Sequence, residues 1–326
     1  MNTTSNESAS CSIHRNPTAY KIGATFAYCL IFVVSLVGNS FIGIIVYKTK
    51  TLRKSIDIFI VNMAMSDQLI PLIVIPVEVV NLYRYYWLKP GVLGNALCKL
   101  MYFSFEVSVI VSVLSLILIA VSRFKAVVFP LRSPLISSRQ CPLLILATWI
   151  IATATNLPYL FVHVLEKHEG RVKCYFKWEE IFGESLSLTD FTLAYYIAFF
   201  DFPMILLIML YSIILIKLKL QKRPGEQSTV AEKQSQKQKG NVLKMAIAIL
   251  LGLFLCRLPW TIIDRIELNA GDVLPCGFFI YAEFFYFLSL LYCAVNPCIC
   301  FVFSRNYRKG FKRLLKGFIF DPSMIS

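Results

Sequence analysis

Apolar residues in this chain fall into seven long runs separated by short polar and charged segments, at roughly 22–47, 56–82, 98–129, 141–165, 190–216, 242–266 and 274–303. Each run is long enough to cross a bilayer as a helix, which takes about 20 residues. None has the two-residue alternation of a membrane β-strand. Inside hydrocarbon every backbone N–H and C=O must be satisfied within the protein, so long unalternating runs must be helices. The pattern predicts an all-α membrane protein, a seven-transmembrane helix bundle. A basic segment, 304–316, follows the last run and has the look of a short amphipathic eighth helix lying at the membrane surface.

Composition agrees. Hydrophobic residues make up 57% of the 326 positions and the mean hydropathy is +0.65, which excludes a soluble domain of this length. The net charge of +14 is first a topology signal, because cytoplasmic loops hold the excess of Lys and Arg. The linkers after runs one, three and five and the segment after run seven carry that excess, with Lys48, Arg53, Arg139, Lys222, Arg223, Arg305, Arg308 and Lys309 among it. The opposite linkers mix Glu166, Glu169, Glu179 and Glu180 with Lys167 and Lys173. The expected organisation is an extracellular glycosylated tail (1–21), the bundle (22–303) with its third cytoplasmic loop at 217–241, helix eight (304–316) and a short cytoplasmic tail (317–326). The expected location is the plasma membrane. Lys312, Arg313 and Lys316 suit anionic lipid headgroups. The charge is poor evidence for a nucleic-acid partner.

Residues 1–19 lack the apolar run of a cleavable signal peptide, so the first run is expected to anchor the chain itself. Asn2 and Asn6 each begin a glycosylation sequon, whereas the one at Asn16 is blocked by Pro17. Of ten cysteines, Cys11, Cys98, Cys174 and Cys276 fall near the outer surface, where disulfides persist. A bridge from Cys98, opening run three, to Cys174, in the loop after run four, would pin that loop over the bundle. Cys11 with Cys276 is a second candidate pair.

Each run also holds polar or helix-distorting residues that lipid alone disfavours. In order these are Gly38-Asn39, Asn62 to Ser66-Asp67, Cys98 to Ser122-Arg123-Phe124, Trp149 with Pro158, Pro203 with Tyr211, Cys256-Arg257-Leu258-Pro259 and Asn296-Pro297. Phe303 to Phe311 follows. Taken together this series resembles the rhodopsin-like (class A) G-protein-coupled receptors, over nearly the whole chain, and most of all the peptide-binding members.

The resemblance implies a sodium site at Asp67, with Ser112 and Asn296 at the family's other ligand positions, and no other cofactor. It also exposes departures. Arg257 stands where the family usually has a tryptophan. A guanidinium there is always charged, and Asp67, Glu106 and Asp201 are its candidate partners; were Arg257 to reach Asp67, it would replace sodium. Ser122 stands where an acid usually restrains Arg123, and Cys300 stands where a tyrosine usually follows Asn296-Pro297. Tyr211 and Arg123 remain, so the expected switch set is Ser122, Arg123, Tyr211, Arg257, Pro259, Asn296, Pro297 and Cys300, with a weakly restrained resting state.

The resemblance also narrows the ligand. The position of the opsin retinal lysine is Leu290, and that of the monoamine-receptor aspartate is Phe105. The outer halves of the runs hold Glu78, Glu106, Asp201, Asp264 and Glu283, and intramembrane acids are expensive enough to mark a ligand path. Phe105, Arg257 and nearby aromatics such as Tyr286 complete the expected site. Residues 172–176 alternate like the β-hairpin that covers peptide-receptor pockets. These features favour a short basic, amidated peptide as ligand and a heterotrimeric G protein as partner, with arrestin and receptor kinases behind it. Ser228, Thr229 and Ser235 are candidate kinase sites. An uncoupled seven-helix scavenger or trafficking partner, and a receptor for a non-peptide amine, are the alternatives. A transporter would want an internal repeat or a polar face along a pore, and neither is visible. His14, His163 and His168 have no metal-ligand spacing and no nucleophile motif occurs, so no enzyme is expected.

Overall fold

The computed structural model describes residues 17–49, 52–83, 91–129, 136–137, 139–168, 171–183, 187–220, 230–270 and 274–320. Seven of its helices are long and apolar enough to cross a membrane. They are α1 (Pro17–Lys48), α2 (Ser55–Tyr83), α3 (Val92–Val128), α4 (Cys141–Val162), α5 (Leu188–Leu220), α6 (Val230–Ala270) and α7 (Cys276–Phe303), with α8 (Arg305–Phe320) after them. The protein is thus a multi-pass membrane protein. Between α4 and α5 the chain forms an antiparallel hairpin, β1 (His163–His168) with β2 (Arg171–Phe176), pairing Leu165 with Cys174.

The boundaries depart from the expected ones where local chemistry overrides hydropathy. The fourth span ends at Val162, not 165, because the chain turns into β1 at His163. The loop expected at 217–241 is largely helix: α5 runs on to Leu220 and α6 already starts at Val230. Polar residues such as Lys, Gln and Glu are good helix formers once outside lipid, so a span can outlast its apolar run. α8 extends to Phe320, into the expected tail, and α1 begins at Pro17, inside the expected N-terminal tail, proline being well suited to a first helical turn.

α3 is the central helix, packed against α2, α4 and α5, and its Val111, Leu116 and Ala120 are wholly buried. Two spans contain a π-helical turn next to a proline, Ile70–Val74 around Pro71 and Ile197–Asp201 before Pro203. Proline removes a ladder donor and crowds the preceding turn, and an inserted π turn absorbs both.

Helix association in lipid relies on close packing and interhelical hydrogen bonds, and α1 against α7 uses both. Pro297 has no N–H for the carbonyl of Cys293, four residues earlier. Asn39 Nδ2 donates to that carbonyl at 3.0 Å and Ser35 Oγ at 3.3 Å. Gly38 makes the approach feasible, since a Cβ there would lie 2.7 Å from Pro297 Cβ. Asn62 likewise joins three helices, donating to Ser115 Oγ (2.9 Å) and accepting from Trp149 Nε1 (2.9 Å).

Candidate functional site

The Cys98–Cys174 disulfide is present and ties β2 to the start of α3. The hairpin is seated further by His163, whose ring stacks on Tyr102 at 3.9 Å and whose Nδ1 donates to the Tyr159 carbonyl at 2.9 Å. Burial lowers its pKa to about 4, so the ring is neutral at pH 7. Lys177, just past β2, bridges Glu166 (2.8 Å) and Glu180 (2.9 Å). Cys11, Asn2 and Asn6 lie outside the described residues; the backbone of Cys276 begins α7.

Beneath the hairpin end, α3, α5 and α6 contribute charge or phenol to one cluster and α4 adds an amide. Arg257 on α6 is buried, with Nη2 3.7 Å from Glu106 Oε2 on α3. Its guanidinium carbon lies 4.4 Å from the centre of the Phe105 ring, a cation–π arrangement. Glu106 is the partner among the three candidates: Asp67 is bound elsewhere, and Asp201 pairs with Arg265 at 2.8 Å. Tyr195 Oη on α5 donates to Glu106 at 2.9 Å and lies 3.1 Å from Asn156 Oδ1 on α4. Asp264 accepts a hydrogen bond from Tyr196, whose ring carries Arg265 at 4.6 Å. Arg257 and Arg265 both act electrostatically on Asp264, so two cations face the three acids Glu106, Asp264 and Asp201. Arg257 Nε and Nη1 make no hydrogen bond among the described residues.

The other expected acids stand to one side. Glu78 accepts from Tyr286 Oη at 3.1 Å, and Tyr286 packs against both Phe105 (5.6 Å) and Trp260 (5.1 Å). Glu283 is exposed and accepts from Tyr20 Oη at 3.2 Å. Tyr195, Tyr196, Asn156 and Arg265 went unnoticed in the sequence. Arg265 had a signal: it lies eight residues after Arg257, two turns along nearly the same helix face.

Midway along the bundle, Asp67 is 1% exposed. It accepts from Ser112 Oγ (3.2 Å) and Asn296 Nδ2 (2.7 Å), so α2, α3 and α7 meet at one carboxylate. Ser108 also reaches it. Among the described residues no cation pairs with it, Arg257 being engaged above.

At the α8 end, Ser122 turns its hydroxyl back to the Leu118 carbonyl (2.7 Å) and offers Arg123 nothing. Neither Arg123 Nε nor Tyr211 Oη has a hydrogen-bond partner among the described residues. Cys300 is buried, 1% exposed, as is Tyr307 on α8. The phenol of Tyr307 donates to Asp57 Oδ1 at 3.4 Å.

This arrangement is that of a seven-helix membrane receptor: a hairpin pinned over one end, a charged cluster below it, and an arginine at the other end of the central helix. The family described as "7 transmembrane receptor (rhodopsin family)" matches residues 38–299. The chain belongs to that family, whose members are receptors and not enzymes. It is similar to the RYamide receptor of Drosophila melanogaster, 29% identical over 304 residues, covering 91% of this chain and 64% of that protein. It is also similar to the QRFP-like peptide receptor of Branchiostoma floridae, 27% identical over 309 residues, covering 92% and 79%. The growth hormone secretagogue receptor type 1 of Sus scrofa is 30% identical over 310 residues, covering 92% and 82%.

Proposed function

We propose that this receptor binds a short cationic, C-terminally amidated peptide at its hairpin end and passes the signal to a heterotrimeric G protein at its α8 end. The observation that carries the reading is the cluster at Arg257, where three acids, Glu106, Asp264 and Asp201, share two arginines, Arg257 and Arg265. That leaves an excess negative charge for a cationic ligand group to neutralise. The two free N–H-bearing nitrogens of Arg257 would meet the carbonyl of a terminal carboxamide, and Glu106 would accept its N–H. Glu78 and Glu283 would line the way in, and Asp201 would act by holding Arg265. The names of two relatives, RYamide receptor and QRFP-like peptide receptor, support a peptide.

In this reading the hairpin end is extracellular and α8 lies on the cytoplasmic face of the plasma membrane, as the Lys and Arg distribution indicates. The exposed Arg305, Arg308, Lys309, Lys312 and Arg313 of α8 would meet anionic lipid. Arrestin and receptor kinases would be later partners. The oxygens at Asp67, Ser112 and Asn296 suit a hard monovalent cation, and Asn296 Oδ1 is buried without a partner among the described residues. Sodium held there would neutralise Asp67 and favour the resting bundle.

The test is G-protein dissociation in cells exposed to a library of short amidated basic peptides. A response lost in Asp264→Asn and Glu78→Gln at unchanged surface expression is expected. Signalling by neutral or acidic peptides alone, indifferent to both substitutions, would overturn the reading.

A further inference from the structure

The α8 end lacks the acid beside Arg123 and the phenol at 300, yet both chemical groups are there, supplied by other elements. Asp57 lies in the first turn of α2 and is the acid whose charge acts on Arg123, at longer range than a direct ion pair. Its carboxylate is not free to wander. It accepts from the backbone N–H of Lys54 and from Tyr307 Oη at 3.4 Å.

Tyr307 is equally constrained. It is buried to 1% exposure, and α8 is held by three further residues. Gly310 lies against Ile45, where a Cβ would meet Cγ2 at 2.5 Å, and the Phe311 ring packs on Phe41 (4.9 Å) and Phe301 (5.4 Å). Arg308 Nη1 caps the end of α7 through the carbonyls of Phe301 (2.9 Å) and Val302. Burial, with the charge of Asp57 beside it, keeps the phenol protonated and therefore a donor. Cys300, itself buried, acts electrostatically on this phenol.

We infer that Tyr307 is a positioning residue that holds Asp57 toward Arg123, and that this α2–α8 latch restrains Arg123 in the resting receptor in place of the acid missing at 122. A lone helix N-terminal acid has no need of a buried phenol from a different helix. The latch predicts a quieter resting state than Ser122 alone suggests. The G-protein readout below rests on the coupling proposed above, so a second readout is independent of it.

The experiment uses the full chain in lipid nanodiscs with purified G protein. Basal nucleotide exchange is measured per folded receptor. In parallel, a fluorophore on G240C, in a background with the exposed Cys29 and Cys298 changed to serine, reports movement of α6. A Cβ at Gly240 meets nothing within 4 Å. Tyr307→Phe keeps the ring and removes only the donor; Asp57→Asn removes the charge. Each is expected to raise basal exchange about threefold or more and to shift the fluorophore signal the same way. Adding Ser122→Asp, which restores an acid beside Arg123, is expected to reverse both changes. A fluorophore signal identical to wild type in both single variants would overturn the inference, as would a change that Ser122→Asp fails to reverse. A reversible α6 shift without nucleotide exchange in any variant would leave the latch standing and sink the G-protein reading instead.

Discussion

Arg257 on α6 faces Glu106 on α3 across 3.7 Å, and the two side chains are only 4% and 14% exposed. Removing one member of a buried pair strands the other, at a cost of about 3–5 kcal/mol, whereas replacing both by apolar groups is often neutral. Glu106→Gln should therefore lower the thermal midpoint of the purified receptor markedly, and Glu106→Gln with Arg257→Trp should recover most of the loss. Equal losses in the single and the double variant would show that the two charges are not coupled.

Gly38 and Pro297 allow a second test, of the α1–α7 seam. A Cβ at 38 lands 2.7 Å from the proline ring, and neither the ring nor the helix backbone can yield cheaply. Gly38→Ala should destabilise the receptor by about 1–3 kcal/mol. Asn39→Ala leaves the Cys293 carbonyl with Ser35 alone and should cost about 1 kcal/mol or more. Thermal unfolding in nanodiscs measures both; unchanged midpoints would mean that α1 is not packed this way.

The spans, the disulfide and the hairpin were legible in the sequence because hydropathy, cysteine placement and alternation are local signals. Asp67, Ser112 and Asn296 were singled out through the family resemblance, and Asp67 accepts hydrogen bonds from the other two. The choice among three acids for Arg257 was not. It depends on which side chains face one another across helices, and sequence spacing on a single helix is silent about that. The same holds for Asp57 and Tyr307, which are 250 residues apart. The helical stretch from Val230 was hidden for a different reason: its residues are polar, and hydropathy marks where lipid is, not where helix is.

His163 gives the hairpin a pH dependence. Its pKa falls from 6.5 to about 4 on folding, so between those values the unfolded chain binds more protons and stability rises with pH. The contribution is complete above pH 6.5 and is lost as pH falls toward 4, by up to about 3 kcal/mol. Disulfide-intact receptor should lose thermal stability over that window, and His163→Phe, which keeps a ring against Tyr102, should flatten the loss. A variant curve parallel to wild type would place the acid sensitivity elsewhere.

Asp67 yields the remaining test, and it separates sodium from a proton. A ligand that binds only the folded state stabilises it by RT ln(1 + [L]/Kd), about 1.4 kcal/mol at tenfold over Kd. Sodium should thus raise the thermal midpoint of the wild-type receptor above that in potassium at equal ionic strength. Matching ionic strength matters, because a chain of net charge +14 responds to any salt by screening. Asp67→Asn keeps a side chain able to bond Ser112 and Asn296 but removes the charge that draws a cation, so its midpoint should be the same in both salts. Should the wild type also be indifferent to the choice of cation, Asp67 is held neutral by a proton, and the meeting point of α2, α3 and α7 is a hydrogen-bonded joint rather than an ion site.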